Sequence, residues 1–476
     1  MRQLNREELL QLDKATLVEI ILQLQAQVQT LTQRMAELEA RLNQNSRNSS
    51  KPPSSDGLAK PKPKSLRKKG IRQSGGQPGH KGHTLKPVAA PDHVVTLRAV
   101  VCTGCSAAEI ALAPVEAYLR RQVFEIPQPR LEVTEYRAEI KHCPRCGECI
   151  KGEFPQGVSA PTQYGPRFNA LLVYLNQQQL LPAGRTVQLM HDIFGQKVSQ
   201  GTLFHAINTC HDQLAGVEDA IKQQLRKGAI VHADESGLRT QGRLHWLHVA
   251  CTERLTFYGV HEKRGRIALD EFNILPGFAG RLIHDFWRPY WAYDCEHGLC
   301  NAHHLRELIF LLEEHQQAWA GKMIKLLLAM HRFTAKRKEK SSMQLTEAEK
   351  APWLARYRAI IDQGWQENPL PEPVPKKRGR RKKTKAQNLL ARLGEHESSV
   401  LAFVHDLNVP FSNNLGEQDI RMIKVRMKVS GCFRTIDGAR QFARIRSYLS
   451  SARKNGINLL DAMTQVFQGT PVIPSG

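Results

Sequence analysis

Between residues 229 and 285 the periodicity of the chain changes from helical to extended. Ala229–Asp234, His245–Cys251, Leu255–His261 and Arg281–Asp285 are short apolar runs. Runs of this length, flanked by polar and turn-forming residues, read as strands rather than helices. One helix-compatible segment, Arg264–Leu275, stands before the fourth run. Three strands in succession, a helix, then another strand predict an α/β layer. Two of the runs end in acids, Asp234 and Asp285. Along the first, His232, Asp234 and Ser236 share one side and Glu235 takes the other.

That strand order is the order of an RNase H-like α/β core, assigned here to residues 225–300. A third acid, Glu417, opens a basic helix in Asn413-Asn-Leu-Gly-Glu417-Gln-Asp-Ile-Arg421. Glu417, Arg421, Lys424 and Lys428 share one face of it, and Ile420, Ile423 and Met427 make the opposing apolar stripe. Residues 418–454 carry ten Lys or Arg and two acids. Asn414 and Glu417 also have nearly the spacing of a capping box, which is the competing explanation for the acid. Acids at two strand ends and one helix start suit a metal-bound triad, with Mg2+ or Mn2+ as a pair of ions over a phosphodiester. Residues 402–455 then supply the last helices of the core, and 456–476 a tail. Residues 301–401 read as a helical insertion with a basic loop, Lys376–Lys383. Its Arg378 and Arg380 could enter a narrow minor groove; a solvated loop is the competing reading. The sequence Phe286-Trp-Arg-Pro-Tyr-Trp291 offers aromatic rings to DNA.

Upstream of the core lie four further segments. Residues 1–44 are helical by pattern. Leu17, Ile21, Leu24, Val28, Leu31, Met35, Leu38 and Leu42 repeat at alternating spacings of four and three, and Leu10 extends the series. A seam with β-branched residues at one position and Leu at the other favours a parallel coiled coil, hence a homodimer or higher oligomer. Residues 45–90 form a basic linker expected to be disordered. Within it, residues 51–86 hold ten Lys or Arg against one acid, Asp56. Residues 91–155 contain Cys102-x-x-Cys105 and Cys143-x-x-Cys146. Two such knuckles have the ligand spacing of a closed, structural Zn2+ site. Cys300, His303 and His304 offer either a second zinc site or a pair of histidines orienting a ligand near the acids. Residues 156–224 look helical. Within them Arg185–Phe194, Gly195 and Ser199–Leu203 have the order of a helix-turn-helix, which plain helical hairpins share.

The charge fits this reading. Lys plus Arg number 68 against 45 acids, a net charge of +23. Such a field attracts polyanions, nucleic acid above all. No apolar run approaches the length of a membrane span, and the N-terminus has no signal-peptide core, so the expectation is a soluble protein inside the cell with no membrane partner.

Several blocks resemble the insertion sequence 66 family of bacterial DDE transposases. Val409-Pro-Phe-Ser-Asn-Asn-Leu-Gly-Glu417 through Lys-Val-Ser-Gly-Cys-Phe-Arg434 is similar to the family's C-terminal signature. His232-Ala-Asp234-Glu-Ser is similar to the block around its first acid. His284-Asp285-Phe, followed by Cys300-Asn-Ala-His303-His304-Leu-Arg-Glu, is similar to the second acid and its downstream element. Asn45-Ser-Arg-Asn-Ser-Ser-Lys-Pro-Pro resembles the family's entry linker. Ser412 stands where the family often has Asp, and Gln418 where an Arg usually follows the third acid. The resemblance implies Asp234, Asp285 and Glu417 as catalytic acids, with DNA at element ends and target as substrate. It implies Arg421, Lys424, Lys428 and Arg434 as DNA contacts, accessory proteins of the same element as partners, and a bacterial cytoplasm, at the nucleoid, as location. The alternatives are an RNase H-like nuclease or resolvase without strand transfer, and a non-catalytic coiled-coil zinc protein that binds DNA.

Overall fold

The computed structural model describes residues 11–49, 84–339, 344–370 and 383–476, together with Asp56, Gly79, Lys81 and Gly82. Leu10, most of the basic linker, and Arg378 and Arg380 lie outside the described residues. Residues 64–134 form one unit, and residues 1–63 with 135–476 form another.

Asp13 accepts a hydrogen bond from Thr16 N at 2.7 Å and so starts helix α1, Lys14–Leu42. Ile21, Leu24, Val28, Leu31, Met35 and Leu38 of the heptad seam are exposed along it. The next few residues, expected as the start of the linker, form an ordered hook instead. Asn48 is buried and accepts from Asn45 N at 2.8 Å. Asn43 donates to Glu314 at 2.8 Å, and Arg47 pairs with Glu313. Short amide side chains satisfy the hook's own backbone, so a polar stretch can hold one shape without a core.

Pairing into strands begins at residue 140. There β1, Ile140–His142, pairs antiparallel with β2, Cys149–Lys151. Four helices follow: α2 Pro166–Val173, α3 Ala183–Phe194, α4 Gln200–Gln213 and α5 Ala215–Arg226. Gly195 ends α3 at φ +67°, and Ser199 Oγ caps α4 by accepting from Thr202 N at 3.0 Å. Leu203, Ile207 and Cys210 of α4 are buried.

The sheet has five strands in the order β5-β4-β3-β6-β7. They are β3 Ile230–Thr240, β4 Arg243–Cys251, β5 Thr256–His261, β6 Arg281–His284 and β7 Glu296–Leu299, with α6, Arg266–Phe272, before β6. The first three are antiparallel neighbours, whereas β3/β6 and β6/β7 are parallel. The sequence reading missed β7. It is Glu-His-Gly-Leu, without β-branched residues, and its Gly298 lets Ile283 of β6 come close: a Cβ there would lie 2.5 Å from Ile283 Cδ1.

The insertion leaves from β7. Helices α7 Asn301–His315, α8 Ala318–Glu339, α9 Glu347–Glu367 and α10 Lys385–Glu395 enclose Trp319, Met323, Leu327, Tyr357, Leu390 and Leu393. That cluster continues through Leu305 into Leu299 and Ile283, so insertion and sheet share a core. Two short helical turns, Glu397–Val400 and Ala402–His405, return the chain to α11, Asn414–Ser430, and α12, Ile436–Lys454. Helix α12 covers the edge strand β5, where Ser447 and Ser451 hydroxyls accept from Tyr258 N and Thr256 N at 2.8 and 2.9 Å. An edge otherwise open to pairing is closed in this way. The expected tail carries a last helix, α13, Leu459–Phe467, whose Met463 and Val466 are buried in one cluster with Ala170 and Leu172 of α2. Leu460, Met463 and Val466 form its apolar face.

Gly280 gives the fold a specific test. A Cβ there would lie 2.4 Å from Gly228 O and 2.7 Å from Ala229 O, backbone atoms that cannot swing away. Gly280→Ala should lower stability by about 1–3 kcal/mol. Urea unfolding with an unchanged midpoint would contradict this packing.

Candidate active site

The register of β3 and β6 sets two acids side by side. The last paired residues are His232 and Ile283. Two steps further along both parallel strands stand Asp234 and Asp285. They sit in the crevice beyond the carboxyl ends of the parallel pair, where α/β sheets bind ligands. Asp234 does not end its strand, as the apolar run suggested. β3 continues to Thr240 because β4 pairs with it from His232 to that point. Asp285 does leave its strand at once. Its Oδ1 accepts from Trp287 N at 3.1 Å, and Phe286 between them has φ +77°. A non-glycine residue held there is backbone strain, which concentrates at functional positions.

Asn413 delivers the third acid. It precedes α11 but makes no side-chain cap. Its amide is used across the fold instead: Nδ2 donates to Ala233 O at 2.8 Å, and Oδ1 meets His232 Nδ1 at 2.8 Å. Its backbone N points at Cys300 Sγ, 3.2 Å away, while Asn301 N donates to Phe411 O at 3.1 Å. β3, the root of α7 and the start of α11 are thereby stitched together. On the opposite side of α11, Asp419 accepts from Thr256 Oγ1 at 2.8 Å and Lys454 Nζ at 2.7 Å, which fixes the helix's rotation. Glu417 then faces α7. Its carboxylate lies 3.8 Å from His303 Nδ1, 3.8 Å from Arg306 and 3.9 Å from Cys300 Sγ. It does not complete a capping box.

The acids feel one another. Burial pushes the Asp234 carboxyl well above its ordinary range, and the charges of Glu235, Asp285 and Glu417 push it further. Glu235 alternates to the other side of β3, as the strand period requires. There its buried carboxylate accepts from Arg264 at 2.6 Å and from Tyr290 Oη at 2.8 Å. Arg264 in turn lies over the rings of Trp246 and Trp287, 4.8 and 4.6 Å from their centroids. Burial raises Glu235 as well, with Asp285 adding to it and Arg264 opposing. The neighbouring acid is thus held in place by side chains that the sequence reading did not connect. Their signal, an Arg and a Tyr at unrelated positions, is visible only in the fold.

The three acids are not gathered equally. Among the described residues, the metal-type side chains whose ligand atoms all lie within 4.8 Å of one another are Cys300, His303 and Glu417. His303 and His304 also separate. His304 is buried against Asn301 at 3.3 Å, and burial holds it well below the usual imidazole range, so it is a neutral core residue. His245 and His248 are buried strand residues of β4. The rings of the aromatic loop after Asp285 pack against the protein. Tyr290 is buried on Glu235, Trp287 packs on Arg264 and His248, and Trp291 lies among His284, His297 and His396. An amphipathic run in a loop is drawn inward where the strand ends leave apolar space. On α11, Arg421, Lys424 and Lys428 are exposed, and so is Arg434 beyond it.

Each Cys-x-x-Cys pair forms the same tight turn. Ser106 N donates to Cys102 O, and Gly147 N to Cys143 O, both at 2.8 Å, with Ser106 and Gly147 at positive φ. Backbone N–H groups of Cys105 and Gly104 lower the Cys102 thiol, and those of Cys146 and Arg145 lower Cys143. Each turn is therefore shaped to favour thiolate.

Residues 161–441, more than half of the chain, match the transposase IS66 family. The chain belongs to that family. Residues 100–147, which include both Cys-x-x-Cys pairs, match the zinc-finger binding domain of transposase IS66. Residues 1–86 match a family of unknown function. No individually curated protein matches the chain. The transposase is thus a mixed α/β protein with a zinc-binding module, and none of its described helices is long and apolar enough to cross a membrane.

Two predictions follow from this geometry. An acid whose folded pKa is raised loses stability as pH rises from its unfolded value, near 4, toward the folded one. Without added divalent cation, Asp234→Asn should therefore stabilise the transposase at neutral pH, on the order of 0.5–2 kcal/mol, and the gain should vanish below about pH 4. Urea unfolding at both pH values checks the sign. Asn413→Ala should destabilise by about 1–3 kcal/mol, since it leaves a buried carbonyl and imidazole unpaired. An unaltered midpoint in the same assay would mean that the amide is not the pin.

Proposed function

We propose that this transposase cuts DNA at the ends of its element and joins the freed ends to target DNA, using Asp234, Asp285 and Glu417 on an RNase H-like core. The observation that carries the reading is the level placement of Asp234 and Asp285 at the parallel strand ends, with Glu417 in the same electrostatic field. Like charges packed with so little solvent ask for a cation between them. The donor set is all carboxylate oxygen, which fits Mg2+ or Mn2+. Bound there, a pair of ions would activate the attacking oxygen and stabilise the leaving one.

The chain's own residues do the rest. Asp234 and Asp285 are held by strands and Phe286's constrained backbone. Glu417 turns from Arg306 and His303 toward them when it serves as third acid. Arg421, Lys424 and Lys428 carry the phosphate backbone along α11, and Arg434 extends that track. The attacker is first water, which frees a 3′-OH, and then that hydroxyl, so no serine or tyrosine nucleophile is required. The four thiols of Cys102, Cys105, Cys143 and Cys146 are the ligands assigned to structural zinc. The exposed seam of α1 suits pairing with a second copy.

Asp234→Asn and Asp285→Asn should retain binding of element-end DNA but lose nicking and joining, by a factor of 10³ or more, on the order of losing a catalytic metal ligand. Precut ends offered to the wild type separate the alternatives: joined product supports transposition, whereas hydrolysis alone marks a nuclease or resolvase. Wild-type turnover by either variant overturns the assignment. Cys143→Ser should remove the module's zinc, read by metal analysis of the full chain.

A further inference from the structure

The root of α7 carries a group that the acidic pair does not explain. Among the described residues His303 Nδ1 is buried without a hydrogen-bond partner, and it lies 3.8 Å from Glu417 Oε1. Cys300 Sγ is also buried, 3.9 Å from the same oxygen. Cys300 and His303 are three residues apart at the first turn of α7, so both present toward α11. A thiolate there would receive the Asn413 N–H, now 3.2 Å from Sγ, and would sit at the positive end of the α7 dipole. With Glu417, three ligand atoms from two elements already fall within 4.8 Å of one another.

We propose that Cys300, His303 and Glu417 form a second cation site, for Zn2+, that competes with the acidic pair for Glu417. One thiolate, one imidazole and one carboxylate select zinc over the hard ions suited to Asp234 and Asp285. Three protein ligands leave a fourth position for water, so this site is open, unlike a four-thiolate knuckle. Binding releases the Cys300 thiol proton to solvent. Arg306 now supplies the positive charge beside Glu417 at 3.8 Å, and as a part-exposed side chain it can turn outward when the ion replaces it. Since Glu417 cannot serve both positions, zinc here withholds the third acid and acts as a brake. That consequence rests on the proposed catalytic role of Glu417; the existence of the site does not.

The test uses the full chain with its Cys-x-x-Cys module already loaded with zinc, titrated with Zn2+ and, in parallel, with Co2+. The wild type should bind one equivalent beyond the module's, and Co2+ should add a thiolate charge-transfer absorption. Cys300→Ser should lose both. His303→Ala, at a part-exposed position less able to disturb folding, should lose the extra equivalent too. Asp234→Asn should keep it, whether or not the wild type proves to cleave DNA, so a failed catalytic reading and a failed zinc site give different results. In an active preparation, Zn2+ added over Mg2+ should suppress nicking in proportion to occupancy of that equivalent. Equal metal content in the wild type and both root variants, or a Co2+ absorption unaffected by Cys300→Ser, overturns the proposal.

Discussion

The Asn413 amide holds together elements that the chain keeps far apart. One side chain bonds the β3 backbone at Ala233 and the buried His232, while its own backbone N meets Cys300 at the root of α7. Without such a cross-tie, the start of the helix bearing Glu417 would lose its bonds to β3 and to the root of α7, while Asp419, Lys424 on Gly237 O at 3.1 Å and the buried Ile420 and Ile423 would still hold its middle. Neutrality of His232 belongs to the same arrangement: burial lowers its basicity, and the Asn413 hydrogen bond replaces the water it has lost. The pin is uncharged and needs no ion, so it holds whether or not the acids do.

The acids themselves oppose folding. Asp234 and Glu235 are adjacent in sequence and both are raised by burial, yet the strand period sends them to opposite sides. Glu235 meets Arg264 and Tyr290 and is compensated within the protein. Among the described residues Asp234 has only the Glu235 N–H, at 2.8 Å. An acid compensated internally has no need of a ligand. An acid left raised among like charges is one whose ionised form awaits an external cation. The difference between the two carboxylates therefore lies in their partners, and it fits the proposal that Asp234, not Glu235, meets the metal.

Much of this was legible in the residues. Four of the five strands, α6, the α3–α4 hairpin and the seam of α1 follow from local periodicity, because each buries or exposes one face. Asp234, Asp285 and Glu417 stood out because acids at the ends of apolar runs and at the head of a basic helix need a reason. What escaped has a common cause. β7 carries no local strand signal and exists through its neighbour β6 and the space left by Gly298. The ring directions in Phe286–Trp291 depend on Arg264, His284 and His396, which no spacing connects. The helix within the expected tail needed α2 as a partner before its apolar face had meaning. Asn413 carries no local signal beyond its place beside the Asn414–Glu417 cap spacing, because its partners Ala233 and His232 lie 180 and 181 residues away. The hook at Asn45–Ser49 was hidden by composition: polar residues satisfying one another look the same as polar residues satisfied by water.

The insertion's place in the chain gives it a part in the site. It begins directly after β7, and its first two helical turns carry Cys300, His303 and Arg306 toward Glu417. Its interior continues without a break through Leu305 to Leu299 and Ile283 of the sheet. A shift of α7 therefore changes the surroundings of Glu417 directly, and a shift of Glu417 changes what the root of α7 must neutralise. The hook after α1 adds a further contact, since Asn43 and Arg47 bind Glu314 and Glu313 near the other end of α7. Helix α7 is thus touched near its two ends by the N-terminal helix's hook and by Glu417. Coupling between distant sites requires an element whose arrangement both can bias. In this fold α7 touches both, the hook near one end and Glu417 near the other, without the sheet between them.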